Sequence, residues 1–189
     1  VLGTVVSMVN GVVRNDDLLV RWTFDEGNGT VAHDATGSGI DATIKGSGQW
    51  GPGISRFALD LSENSGWAQA GPHENLKGKP EHTIALWFKS TAAQEGWTQL
   101  LCKREDLYSY YFVQFDEGGN TANAYYRFQA NYLDGGAFTI AHGSWNHLVA
   151  TYDGKRFKTY LNGRTVGSVN ETKNIDQDDG LLGIGGTPE

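Results

Sequence analysis

The chain has 189 residues, 39% of them hydrophobic, and a formal net charge of −7, which suits a single domain with enough apolar material for a core. Its 15 lysines and arginines are scattered rather than clustered, which argues against a nucleic-acid footprint, because neutralising phosphates needs a concentrated cationic surface. No apolar run reaches the 18 or so residues of a membrane-spanning helix, so no membrane insertion is expected.

The opening residues 1–14 contain Val5, Val6, Val12 and Val13. They are β-prone, lack the charged start of a secretory signal, and read as an N-terminal extension able to add a strand. The chain begins at Val1 and is read as a piece of a larger parent. In LLVRWTF (18–24), Leu18, Val20, Trp22 and Phe24 share one side, the period of two expected of a half-buried strand. That strand runs into Asp25, Glu26, Gly27, Asn28 and Gly29. HTIALWFK (82–89) sets Ile84, Leu86 and Phe88 on one face and Thr83, Ala85 and Trp87 on the other. Residues 91–96 form a short helical turn at most. WTQLLCK (97–103) and YSYYFVQF (108–115) follow as strands. The single cysteine, Cys102, rules out an internal disulfide and reads as a small buried hydrophobe.

AYYRFQANYL (124–133) reads as one strand. It places Tyr126, Phe128, Ala130 and Tyr132 together, with Tyr125, Arg127, Gln129 and Asn131 opposite. WNHLVATY (145–152), RFKTYLN (156–162) and RTVGSV (164–169) complete the clear set. Asp153-Gly154 and Asn162-Gly163 lie between strands and tolerate the positive φ of two-residue hairpin turns. Glu117-Gly118-Gly119-Asn120 and Asp134-Gly135-Gly136 mark longer loops. Many short antiparallel strands without an amphipathic helix predict an all-β fold of two packed sheets.

Several phrases, in order, carry a resemblance: LVRWTFDEGNGTVAHDATGSGIDATI, ALDL, HTIALWFKS, WNHLVATYDGKRFKTYLNGRTVGS and LLGIGG. Together they are similar to a laminin-G-like, concanavalin A-like jelly-roll domain of the bacterial type, over about residues 18–186. The resemblance implies an antiparallel jelly-roll β-sandwich over 15–189, with two curved sheets and a concave face. It also implies a sugar-binding or adhesion module of a larger secreted or surface protein. An extracellular or cell-surface location and further domains of a parent protein follow from it. Such domains continue past the Gly185-Gly186 position into one more strand, whereas this chain ends at Glu189. The extension 1–14 is expected to cover that place.

The same resemblance implies a structural calcium, with Asp25 and the loop around Asp41 as ligands. Calcium takes six to eight oxygens, and a glycine-rich loop lets carbonyls converge on it. The competing reading makes Asp34 the cap of an Asx turn towards Gly37 and leaves Asp25 and Glu26 solvated. The acidic run NIDQDDG (174–180) reads as a solvated loop.

Glucanases of this fold class set Glu, Asp and Glu at alternating positions of one strand. No Glu-x-Asp-x-x-Glu pattern occurs here, and the adjacent pairs Glu105-Asp106 and Asp116-Glu117 diverge on a strand. No Ser/His/Asp, Walker or His-Glu-x-x-His arrangement occurs either. The expected function is therefore non-catalytic binding of a glycan or a cell-surface or matrix polysaccharide. Sugars present C–H faces to aromatic rings and hydroxyls to Arg, Asn and Gln. On that chemistry Trp97, Arg104, Tyr110, Tyr125, Arg127, Gln129 and Asn131 are the candidate residues, with Arg127 between Tyr125 and Gln129 the most sugar-like trio. The alternatives are a structural or protein-adhesion module without a sugar site, and a fragment of a polysaccharide-active enzyme.

Overall fold

A computed structural model describes residues 18–62, 66–91, 93 and 96–189, and the backbone of residues 2–7. The strands in chain order are β1 (Leu2–Ser7), β2 (Arg21–Trp22), β3 (Val31–Ala32), β4 (Ala42–Lys45), β5 (Gln49–Pro52), β6 (Phe57–Asp60), β7 (Trp67–Ala70) and β8 (His82–Phe88). They continue as β9 (Gln99–Glu105), β10 (Tyr108–Phe115), β11 (Thr121–Phe128), β12 (Asn131–Thr139), β13 (Asn146–Tyr152), β14 (Arg156–Leu161), β15 (Arg164–Asn170) and β16 (Leu181–Ile184). A single 3₁₀ turn, Glu74–Leu76, interrupts them among the described residues.

One sheet runs β15-β14-β13-β8-β1-β6-β5, with β2 also on β1; the other runs β12-β11-β10-β9-β16-β7-β4-β3. The result is an all-β, antiparallel, two-sheet jelly-roll sandwich. Alternation builds its interior: Ile84, Leu86 and Phe88 of β8 face the layer holding Leu101, Val113, Phe115 and Tyr126. Phe88 and Phe115 meet edge to face at 6.5 Å and 87°, a favoured aromatic geometry. Thr83 and Ala85 are buried too, because β8 lies inside its sheet between β13 and β1.

The opening segment contributes β1, which lies between β8 and β6 and also pairs β2. The rest of the extension, residues 1 and 8–14, lies outside the described residues, as do 92, 94 and 95 of the expected 91–96 turn. Burial in 18–24 follows the expected period, with Val20, Trp22 and Phe24 inside. The ladder does not: only Arg21–Trp22 pairs. Phe24 adopts a positive φ of 55° and turns the chain out of the sheet. Trp22 is held instead by its indole N–H, which donates to Ile40 O at 2.7 Å.

The 124–133 segment is corrected more sharply. It is two strands, β11 and β12, joined by a turn at Gln129 and Ala130, whose φ values are 48° and 64°. Asp134-Gly135-Gly136, expected as a loop, lies within β12 at a register shift. Its glycines serve another purpose: β12 and β15 close one side of the sandwich, and a Cβ on Gly167 would overlap the Gly135 carbonyl oxygen.

Candidate functional site

Strands β9 to β12 form adjacent hairpins at one side of the second sheet. In β10, Tyr111, Val113 and Phe115 enter the core, and in β11, Ala122, Ala124, Tyr126 and Phe128 do. The period of two sends the intervening side chains to the outer face. Phe112 and Tyr125, register partners across β10 and β11, stack there at 4.7 Å and 18°. Tyr132 of β12 meets Phe112 edge-on at 5.5 Å and 80°.

Arg127 lies beside them. Its guanidinium sits over the ring of Tyr108 at 4.7 Å and that of Tyr110 at 5.2 Å, a cation–π arrangement that fixes an otherwise flexible side chain. The Asp176 carboxylate lies 3.7 Å from it. Tyr108 is 53% exposed and Tyr132 48%, so the rings at both flanks are open to a ligand. Asp134 adds a carboxylate at the rim: its Oδ2 accepts from Asn123 Nδ2 at 2.6 Å and its Oδ1 from Gly136 N–H at 2.7 Å. Burial, then the charges of Asp134 and Asp116, push the Tyr125 hydroxyl up to about 12. Burial and Glu105 also raise that of Tyr110. Both phenols stay protonated at neutral pH and keep a donor.

The structure gathers Tyr110, Tyr125 and Arg127 on this face and separates the other candidates. Gln129 is in the turn, and Asn131 begins the returning strand, its Nδ2 donating to Gln129 O at 2.9 Å. Neither continues the Tyr125–Arg127 row; Tyr132, the register partner of Arg127, stands there instead. Arg104 is at the same end of β9, yet its Nε donates to Asp106 O at 2.8 Å, within its own hairpin. Trp97 is at the opposite end of β10, with its N–H on Phe115 O. Alternation alone points to Tyr108 and Phe112 once the hairpin is recognised; Tyr132 needs the turn.

The 174–180 run is not a solvated loop. Asp176 accepts the N–H groups of Gln129 and Ala130 at 2.7 and 2.9 Å and so clamps the turn. Asp178 is buried and pairs with the buried ammonium of Lys103, which also donates to Gly180 O. Asp179 pairs with Lys77 at 2.7 Å. The segment packs over one end of β9 to β11 and supports the aromatic face from its edge.

The loop after β2 uses its acids as backbone acceptors. Asp25 Oδ1 accepts from Phe57 N–H at 3.1 Å, and Glu26 Oε1 from His33 N–H at 2.9 Å. Asp34 makes the Asx turn, taking Thr36 N–H, and further accepts from Arg21 N–H and from Ser38. Burial raises its carboxyl, but these bonds outweigh burial and hold it down to about 2. Both oxygens of Asp41 are engaged, one by Asp34 N–H and one by His33, each at 2.9 Å. Each donor uses one lone pair of its carboxylate and leaves others, and no group of three or more His, Cys, Asp or Glu among the described residues is placed to hold a metal.

Residues 62–189 match the family model Laminin_G_3, described as the concanavalin A-like lectin/glucanases superfamily. Comparison with curated proteins gives no match. Among solved structures, the chain is similar to domain 4 of AbnA, a GH43 extracellular arabinanase from Geobacillus stearothermophilus, solved in complex with arabinotriose. Identity is 16% and the TM-score 0.66, over 98% of this chain and 84% of that one. It is also similar to the binding domain of botulinum neurotoxin DC in complex with SialylT, at 12% identity and TM-score 0.71, over 91% and 44% of the two chains. The binding domain of Paraclostridial mosquitocidal protein 1 matches at 13% and 0.68, over 97% and 44%. The chain thus spans less than half of each of these two toxin binding domains. At these identities the likeness shows the fold.

Proposed function

This chain belongs to the concanavalin A-like lectin/glucanases superfamily, and from that premise we propose that it is a non-catalytic glycan-binding module. The sugar docks on the outer face of β10, β11 and β12. The observation that carries this reading is Arg127 laid over Tyr108 and Tyr110 with the half-exposed Tyr132 alongside. Aromatic rings accept the C–H faces of a sugar. The guanidinium donates to its hydroxyls, Asp134 accepts from them, and the protonated tyrosines do either.

The arabinotriose bound by the arabinanase domain supports the reading, since the likeness spans 84% of that domain; that ligand is its own. The face is open rather than enclosed, so a single contact is weak and affinity is raised by avidity in a parent with several modules. The location that goes with this is extracellular or at a cell surface. The two carboxylates here are committed to structure, Asp176 to the Gln129 and Ala130 N–H groups and Asp134 to Asn123 and Gly136 N–H, which favours binding over hydrolysis, a reaction that needs two free carboxyls about 5–9.5 Å apart across a scissile bond.

A glycan array probed with the isolated chain, with and without a chelator, tests this. Binding to a related set of glycans that survives the chelator supports the proposal. Retention of a protein partner with no glycan bound contradicts it and favours protein adhesion.

A further inference from the structure

The charges around the aromatic face do not balance. Tyr125 has Phe112 of β10 as its register partner on one side and Asp134 of β12 on the other. At the other flank, Tyr108 has Glu105 of β9 as its register partner. Cross-strand partners of this kind stand about 4.5–5.5 Å apart at Cβ, so each of these two rings has a carboxylate beside it. Asp134 accepts from Asn123 and from Gly136 N–H, and Glu105 from Asp179 N–H at 3.4 Å. Those donors are neutral and cancel none of the charge.

The cations beside these rings are already engaged. The Arg127 guanidinium has the Asp176 carboxylate 3.7 Å away, and only 12% of its side chain is exposed. Arg104 gives its Nε–H to Asp106 O and is followed in the chain by Glu105 and Asp106. The phenols of the face respond to the imbalance. Burial raises the Tyr125 hydroxyl most, and the charges of Asp134 and Asp116 raise it further. For Tyr110 the order is burial, then Glu105 and Asp178, all ahead of the opposing charge of Arg127.

We propose that the face selects glycans by charge: it takes uncharged sugars and rejects acidic ones, with Asp134 and Glu105 as the residues that set the selectivity. The selectivity rests on the glycan-binding reading above and adds to it the class of ligand. An uncharged sugar lying on Tyr125 or Tyr108 can give its hydroxyl protons to these carboxylates, which accept and never donate when ionised. A uronate, sialate or sulfate group in the same place has no proton to give and sets like charge against like. Arg127 does not offset the repulsion, because Asp176 already faces its charge. A site can discriminate by repelling the wrong ligand as well as by gripping the right one. Repulsion between exposed charges reaches about 10 Å at 0.1 M salt and about 3 Å at 1 M, so salt relieves it. Attraction of an anion to arginine would respond to salt in the opposite sense.

Matched pairs of oligosaccharides test this. The pairs are cellotriose and its carboxyl-oxidised form, methyl-esterified and free trigalacturonate, and N-acetyllactosamine and its sialylated form. Each is titrated at neutral pH in about 20 mM and about 500 mM sodium chloride, which span weak and strong screening. Where a pair binds, the acidic member is expected to bind about tenfold or more weakly at low salt, a difference of about 1.4 kcal/mol, and the gap to narrow at high salt. Asp134→Asn with Glu105→Gln is expected to narrow the gap severalfold at low salt, since the amide oxygens still accept from the Gly136 and Asp179 N–H groups. If the double variant does not fold, the salt dependence of the parent decides. An acidic member that binds as tightly as its uncharged counterpart, or more tightly, overturns the selectivity and leaves the glycan-binding reading. A gap that neither salt nor the substitutions change overturns it too, since shape and not charge would then discriminate. Failure of every member of every pair to bind counts against the glycan-binding reading itself, and the selectivity falls with it.

Discussion

Lys103 is an interior lysine, and its ammonium lies against the Asp178 carboxylate and the Gly180 carbonyl with almost no exposure. Removing one partner of such a pair strands a charge in the core at a cost of about 3–5 kcal/mol, whereas replacing both with apolar groups is often neutral. Asp178→Ala is therefore expected to lower the urea midpoint strongly, and Lys103→Met with Asp178→Leu to recover most of the loss. A single variant as stable as the parent would show that the pair is not closed in solution. His82 is the second group of this kind. Burial, followed by the charge of Lys79, lowers its pKa to about 4, and its ring packs on Tyr111 and Tyr126. The unfolded chain takes up its proton near pH 6.5 and the folded chain does not until about pH 4. Stability from this group is thus complete above pH 6.5 and is lost progressively as pH falls towards 4. Midpoints at pH 7 and pH 4.5 should differ less in His82→Phe than in the parent; an equal difference would exclude His82 as the cause. Neither role was legible in the sequence. Lys103 follows Leu101-Cys102 at the end of an apolar run, and its partner is 75 residues away, a separation that no local pattern displays.

The β11–β12 hairpin shows how an element can hide. Asn162-Gly163 announces its turn, with both residues at positive φ, because those residue types tolerate that region. Gln129-Ala130 adopts the same region without any such signal, and a tertiary contact, the Asp176 clamp, accounts for it. Alternation in the sequence therefore runs through the segment as one strand. That moved Gln129 and Asn131 onto the candidate face and left Tyr132 off it. Asp176→Ala removes two charge-assisted bonds, each worth about 1.5–3 kcal/mol, and is expected to destabilise the protein and loosen this hairpin first. Gln129→Asn with Ala130→Gly is expected to stabilise the Asp176→Ala background by about 1 kcal/mol or less per site. Amide exchange localised to β11 and β12 reads both effects. Unchanged exchange in Asp176→Ala would mean that the strands alone set the turn.

At the scale of the molecule, strict alternation carried the fold. Ile84, Leu86 and Phe88 are inside as expected, and the meander from β13 to β15 has both expected turns. The short strands β3 to β7 were poorly legible, at two to four residues each, since so few positions show no period. The acids of the loop after β2 were legible as residues but not in role, because their donors are backbone N–H groups, which a sequence does not display. With no cluster of three or more His, Cys, Asp or Glu among the described residues placed to hold a metal, millimolar calcium is expected to leave the melting temperature essentially unchanged; a rise of several degrees, as a ligand of the native state produces, would support Asp25 and Asp41 as ion ligands. The central claim concerns the outer face of β10 to β12, and the most direct measurement is the affinity of the parent, Tyr132→Ala and Arg127→Ala for the strongest glycan found on an array. Both variants are expected to lose affinity about tenfold or more, equivalent to about 1.4 kcal/mol each, with thermal unfolding of Tyr132→Ala little changed. Full affinity in both folded variants would contradict the account.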